Sequence, residues 1–415
     1  MLISFAIENY KSFLNENILS LETKQIDEFD EFNTFTNGDY KLLKSTFIFG
    51  ANASGKSNFL DAIYFMRLCV LRSFSEENFT KNIDNRIFQF NTIGDTKPTT
   101  FKIEFLIEKT RYYYEFSIKN GQVVREFLSR DIQKEVRIFE RNSSDAKDTY
   151  ISSAFSKMQK SLKFVRNDAL IISTLTYLND PLSKNISDWF KMLIFINSDN
   201  LFLSNSIYED KINNYLKYIN LADRTISEFR VEEKEIEPKM FETLQALKKI
   251  TDFDLPSKLT ELKYTAKKYN MNHDFMENIE VNFDNMSSSG TKNFMKIIIP
   301  IIDAIQNGKV IIIDELESML HVSLVKFIFG LFNSIDINQK NAQLVTTTHD
   351  VYILNEDIRR DQINFVEKNE FAESNIYALT DFKNVTKNDN ILKKYLLGFY
   401  GAVPQLKELF NAKID

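Results

Sequence analysis

Three observations predict an α/β fold with a mixed central sheet, an antiparallel β subdomain and an inserted helical region. The stretch STFIFGANASGKSNFLDAIYFM runs from an apolar strand through a glycine-bracketed loop into a helix. The residues after it alternate apolar and polar at period two. From about residue 280, beyond a stretch of helical spacing, strand and helix signals alternate again. The expected organisation is one half of a head over 1–150, a helical insertion over 151–275, and the other half of the head over 276–415.

The elements follow in chain order. LISFAI opens as a strand, and STFIF leads into the loop Gly50–Ser57, with a helix over SNFLDAIYFM. Phe101, Ile103, Phe105 and Ile107, then Tyr112, Tyr114, Phe116 and Ile118, alternate along two strands, and Asn120-Gly121 supplies a hairpin turn. In the middle region MFETLQALKKI places Met240, Leu244 and Leu247 on one helical face. VIIID is a four-residue apolar run ending in an acid, as expected of a buried parallel strand, and AQLVTTTHD reads the same way. The two ends of the chain therefore read as two halves of one sheet.

Composition narrows the class. At 415 residues with 43% hydrophobic and 27% charged residues, the chain can bury a large core and is not disordered in bulk. The start lacks a basic, apolar leader, and the most apolar run, MKIIIPIIDAI, is broken by Pro300 and Asp303, so a cytoplasmic protein without a membrane segment is expected. Cys69 is the only cysteine, which excludes an internal disulfide and leaves a core residue. A net charge of −6 argues against coating nucleic acid by charge alone and leaves only a local basic groove open.

Gly50 to Ser57 match G-x-x-x-x-G-K-[ST] in full, between a strand and a helix. Loop N–H groups and the positive end of the helix cradle phosphate oxygens; Lys56 adds charge at the β/γ-phosphates and Ser57 offers a hydroxyl to magnesium. Gly50 and Gly55 allow the turns and the close approach, and Asn52, Ser54 and Asn58 complete the candidate nucleotide-binding set. In VIIIDELES, Asp314 is the expected magnesium-side carboxylate, with Ser57, and Glu315 is placed to take a proton from an attacking water. ATP and Mg²⁺ are the expected ligands. SSSGTK (287–292) and TTTHD (346–350) read singly as a helix cap and a turn. Taken in order with the loop and the Asp-Glu strand, they form the layout of an ABC-type P-loop ATPase head. There the Ser-Gly motif of one subunit closes over the γ-phosphate held by another.

FAIENYKSF, FIFGANASGKSN, SSGTK, VIIIDELESMLH, TTTHD, FVEK and YLLGFYGAVP together resemble the RloA/AbiLi-like ATP-binding proteins. These are RecF/SMC-related ABC-type ATPases found beside restriction and abortive-infection genes, and the ATPase of the PARIS phage-defence system is similar. The likeness covers 1–120 and 280–405 and touches the middle region poorly. It implies that Lys11 and Ser12 approach the nucleotide from the first strand, that Gln89 in RIFQFN senses magnesium, that Ser288, Ser289 and Gly290 form a signature acting in trans, and that His349 is the switch histidine with Glu315 as catalytic base. LHV stands where such proteins usually have Leu-His-Pro, and Phe399 where YLLGFYG commonly has an arginine.

The resemblance implies a regulatory ATPase, a homodimer or higher oligomer with shared ATP sites, controlling an effector encoded nearby such as a nuclease or toxin. Two alternatives stay open. A self-contained OLD-type nuclease would need a further metal-binding domain, for which the roughly 65 residues after TTTHD leave little room. A RecF/SMC-like DNA-repair ATPase would need a coiled-coil arm, whereas 150–275 is short and interrupted by Pro181 and Pro256.

Overall fold

The computed structural model describes residues 1–131, 134, 136–196, 212–234, 259–318 and 320–404. The chain opens with β1 (Leu2–Glu8) and β2 (Asn17–Ser20), makes a short hairpin of β3 (Thr34–Asn37) and β4 (Tyr40–Leu43), and runs through β5 (Ser45–Phe49) into helix α1 (Lys56–Arg72). An antiparallel run follows: β6 (Thr99–Ile107), β7 (Thr110–Lys119), β8 (Gln122–Arg130), β9 (Val136–Arg141) and β10 (Tyr150–Ile151). Helices α2 (Ile171–Tyr177) and α3 (Pro181–Lys191) lead to β11 (Leu193–Ile196). Next come β12 (Ile226–Lys234), β13 (Leu259–Tyr269), β14 (Phe275–Asn282) and helix α4 (Ser289–Asn307). The remaining elements are β15 (Val310–Ile313), α5 (Val322–Asn333), β16 (Gln343–Thr348), β17 (Ile363–Lys368), β18 (Ser374–Ala378) and α6 (Ile391–Leu396).

Two units are distinguished, one of Met1–Asn197, Ala304–Glu317 and Phe329–Asp415, the other of Ser198–Asp303 and Ser318–Ile328. The first unit is the expected mixed α/β head. One of its sheets has the order β10-β9-β8-β7-β6-β1-β2, antiparallel throughout. The other has the order β11-β15-β16-β5-β17-β18, parallel except for β18. Both halves of the chain thus build one parallel sheet, and its central strands are the fully buried runs STFIF, VIII and QLVTTT. Helix α1 buries Phe59, Ile63, Met66 and Val70 at helical spacing. They join one core with Phe5 and Phe101 of the antiparallel sheet and Ile48 and Val345 of the parallel one. Phe59 meets Phe5 and Phe13 edge-on at 5.5 and 5.6 Å between ring centres. The buried Gln343 amide stitches the strands together: it accepts from Leu2 N–H (2.7 Å) and donates to the carbonyls of Leu2 (3.0 Å) and Leu43 (3.1 Å). Cys69 is buried in this core, where desolvation pushes its thiol pKa up.

The middle region differs from the helical insertion expected over 151–275. Its first part, through β11, belongs with the head: Trp189 of α3 stacks on Phe105 at 4.2 Å, Arg67 donates to the Phe190 carbonyl at 3.0 Å, and β11 extends the parallel sheet. In the second unit the described residues include the antiparallel sheet β12-β13-β14, closed by Phe229, Tyr264 and Phe283. Its alternation runs through short stretches, Phe229 and Val231, Leu262 and Tyr264, Ile279 and Val281, and the register shifts between Ile226 and Glu228. Met240, Leu244 and Leu247 lie outside the described residues. Among the described residues no helix is long and apolar enough to cross a membrane.

Candidate nucleotide site

Strand order creates the site. β16 lies between β15 and β5, all three parallel, with Ile313 opposite Thr346 and Phe49 opposite Thr348. Gly50, Asp314 and His349 therefore leave the sheet at one carboxyl edge, where parallel α/β sheets bind ligands. The loop from Gly50 is pressed against β17 and β18. A Cβ on Gly50 would lie 2.4 Å from the Val366 carbonyl oxygen. Gly55 has φ +115°, and a Cβ there would lie 2.4 Å from Ser374 Oγ. Ser374 holds the loop by donating its hydroxyl to the Ser54 carbonyl at 2.5 Å, while its N–H donates to the Ser12 carbonyl at 2.6 Å. Helix α1 starts at Lys56 with no side-chain cap and no acid in its first turn, which leaves its N–H groups and positive end for an anion.

The charged groups are already assembled. Lys56 Nζ donates to the carbonyls of Gly50 (2.9 Å) and Ala51 (3.1 Å) and lies 3.0 Å from His349 Nε2. Burial lowers its pKa from the ordinary lysine value, opposed by Glu315, Asp314 and Glu317. Glu315 Oε1 lies 3.3 Å from the same His349 nitrogen. That nitrogen cannot accept from Lys56 and donate to Glu315 at once, so the imidazole proton decides which neighbour it engages. Thr347 fixes the acidic pair, its hydroxyl donating to Asp314 Oδ1 at 2.5 Å and accepting from Glu315 N–H at 2.9 Å. Glu315 has φ +51°, a strained setting for a residue with a Cβ and one that concentrates at functional sites. Glu317 accepts from the His349 N–H.

A cleft of about 700 Å³ is lined by Asn52 to Asn58 together with Glu315, His349 and Lys368. Asn52, Ser54, Gly55, Lys56, Ser57 and Asn58 thus line one cleft. Ser12 supports the loop from behind, its hydroxyl accepting from the Asn58 amide at 2.9 Å. Lys11 does not line this cleft: its ammonium pairs with Asp61 at 2.5 Å, on a carboxylate that also accepts from Tyr10 at 2.7 Å. Gln89 does not line it either, being exposed beside the buried Phe88 that anchors its segment. Ser288, Ser289 and Gly290 are exposed at the start of α4 in the second unit, where Ser288 Oγ accepts from Thr291 N–H at 3.1 Å. Sequence motifs contain Thr347 (TTTHD), Glu317 (VIIIDELES) and Lys368 (FVEK) without giving them a role, and Ser374 lies in none of them.

The donor set suits a magnesium–nucleotide complex. Ser57 and Asp314 provide oxygen donors for a hard cation, and the described residues contain no group of three or more His, Cys, Asp or Glu that could hold a metal alone. Phosphate oxygens and water would complete the shell, as magnesium requires.

Residues 45–355 match the family described as "AAA domain, putative AbiEii toxin, Type IV TA system". No curated protein matches the chain. Among solved structures, the SMC head domain from Thermotoga maritima is similar at 13% identity, covering 91% of this chain and 98% of that one with a TM-score of 0.38.

The loop contacts predict a contrast between glycines. Gly55→Ala should weaken binding of a fluorescent ATP analogue at least tenfold, because its φ is +115° and its Cβ has no room. Gly290→Ala, whose nearest neighbour would be Ser288 Oγ at 3.7 Å, should leave single-subunit binding within threefold.

Proposed function

The chain belongs to this AAA-domain family, and on that premise we propose that it binds ATP with magnesium, hydrolyses it slowly, and acts as an oligomeric regulatory subunit of the abortive-infection type. The observation that carries the reading is the convergence of Lys56, Glu315 and His349 at the phosphate loop, with Asp314 held by Thr347. Magnesium held by Ser57 and Asp314 would supply positive charge against the phosphates. Lys56 exchanges His349 for phosphate oxygens, which frees the imidazole nitrogen to face Glu315. Glu315 accepts a proton from the attacking water as the water oxygen bonds to the γ-phosphorus and the bond to the bridging oxygen breaks. The products are ADP and phosphate.

The reading gives Lys56 and Glu315 separate tasks. Lys56→Ala should abolish ATP binding, whereas Glu315→Gln should bind ATP within about threefold of wild type and lose at least 100-fold in kcat. Equal hydrolysis by wild type and Glu315→Gln removes Glu315 as the base.

Sharing of sites between subunits is supported by the exposed start of α4, a 19-residue helix with no acid in its first turn. Ser289 and Gly290 of one subunit would meet the phosphate held by another. Mixing Lys56→Ala with Ser289→Arg subunits should then restore part of the hydrolysis that each lacks, by forming one intact composite site per dimer. Mixtures that exchange subunits and remain inactive count against sharing.

The family description speaks of a toxin and a toxin–antitoxin system, which supports pairing with an effector. On this reading ATP-driven closure acts upstream of a nuclease or toxin made by a neighbouring gene, as the resemblance to RloA/AbiLi-like and PARIS-type ATPases implies. Growth arrest or phage resistance should require the neighbour and be lost with Lys56→Ala. Metal-dependent nuclease activity in the purified chain that survives Glu315→Gln contradicts this.

A further inference from the structure

Lys368 ends β17, the strand beneath the phosphate loop, and the function proposed above leaves it without a task. β17 runs parallel to β5 with Phe365 opposite Phe49, so three residues later Lys368 arrives at the same carboxyl edge as the loop. Across the antiparallel pair it stands opposite Ser374. Directly opposed residues in such a pair share a sheet face. Ser374 directs its hydroxyl onto the Ser54 carbonyl, so Lys368 lies on the face turned toward the loop. It lines the 700 Å³ phosphate cleft and also an adjoining cleft of about 1440 Å³. The two share Lys368 with Asn52, Ala53, Ser54 and His349, which puts Lys368 on the His349 side of the cleft.

Its charge has no partner among the described residues, where the ammonium takes part in no hydrogen bond or ion pair. Two neighbouring acids are engaged elsewhere: Glu367 accepts from Tyr377 at 3.2 Å and Glu373 from the Asn369 amide at 3.2 Å. The half-buried lysine thus borders a cleft that already holds Glu315, His349 and an anion-binding helix end. Ser54 Oγ, on the same stretch of loop, is buried without a hydrogen-bond partner.

We infer that Lys368 is a second phosphate-binding lysine, supplied by the same subunit, that contacts the terminal phosphoryl group of the nucleotide from the part of the cleft it shares with Asn52, Ala53, Ser54 and His349. The inference rests on the ATP-binding reading. A charge here distinguishes a triphosphate from a diphosphate and adds to the charge stabilisation that phosphoryl transfer requires.

Binding affinity tests it directly. In a Glu315→Gln background, where ATP persists, Lys368→Met keeps most of the stem and removes the charge. ATP affinity should fall about 10–100-fold, the range of a charge-assisted contact, while ADP affinity changes less than threefold. Lys368→Arg should recover most of the ATP preference, and in the otherwise wild-type chain Lys368→Met should lower kcat. Unchanged affinities for both nucleotides make Lys368 a solvated strand-end lysine and overturn the inference. Equal losses for ATP and ADP, with a lowered melting temperature, assign it to structure and overturn it too. A parent protein that binds neither nucleotide defeats the ATP-binding reading and this inference together, whereas binding by the parent with an unaltered Lys368→Met defeats the inference alone.

Discussion

Everything at the nucleotide site depends on how closely the loop after β5 is pressed onto β17 and β18. Backbone meets backbone where Gly50 faces the Val366 carbonyl, and side chain replaces the missing Cβ where Ser374 fills the space beside Gly55. Because Gly55 alone can take φ +115° there without strain, helix α1 starts at Lys56 and directs its N–H groups into the cleft. The same contact sets the Lys56 ammonium against two loop carbonyls and His349. Moving the loop by an ångström would take Lys56 away from His349 and from the acids that face it.

The charges at the site satisfy one another. The buried Lys56 ammonium takes carbonyls and an imidazole as partners, and three carboxylates near it offset part of its desolvation. Thr347 and Glu317 act through backbone as well as side chain: one grips the N–H of Glu315, the other the N–H of His349. The acidic turn after β15 and the histidine after β16 are thereby tied crosswise.

The C-terminal motif YLLGFYGAVP has a structural share in the same arrangement. Tyr395 stacks on Phe365 at 5.3 Å and meets Phe49, the residue before the loop, at 6.1 Å. Tyr400 stacks on Phe365 at 5.7 Å, and its carbonyl accepts from Tyr377 at 2.7 Å. Gly401, at φ +65°, has no room for a Cβ because Glu367 Oε2 would lie 2.5 Å away. The tyrosines and this glycine brace the end of β5, whereas Phe399 is exposed together with Leu396 and Leu397.

Contiguous residues alone determined the phosphate loop, its flanking strand and helix, the acidic end of β15 and the period-two strands β6 and β7. In each case the pattern lies within one element and follows from backbone conformation, helix-end electrostatics or side-chain alternation. The assignments that failed to reach the cleft, Lys11 and Gln89, came from likeness of position, and local partners decided otherwise: Asp61 captured the lysine, and burial of Phe88 left the glutamine outside. Tertiary structure alone decided that β16 runs between β15 and β5, that Gln343 joins β1 to β4, that Ser374 and Lys368 border the loop, and that the described part of the second unit is a sheet as well as helix. Those facts depend on hydrogen bonds and packing between segments hundreds of residues apart, and the energy of such contacts is absent from any local run of sequence.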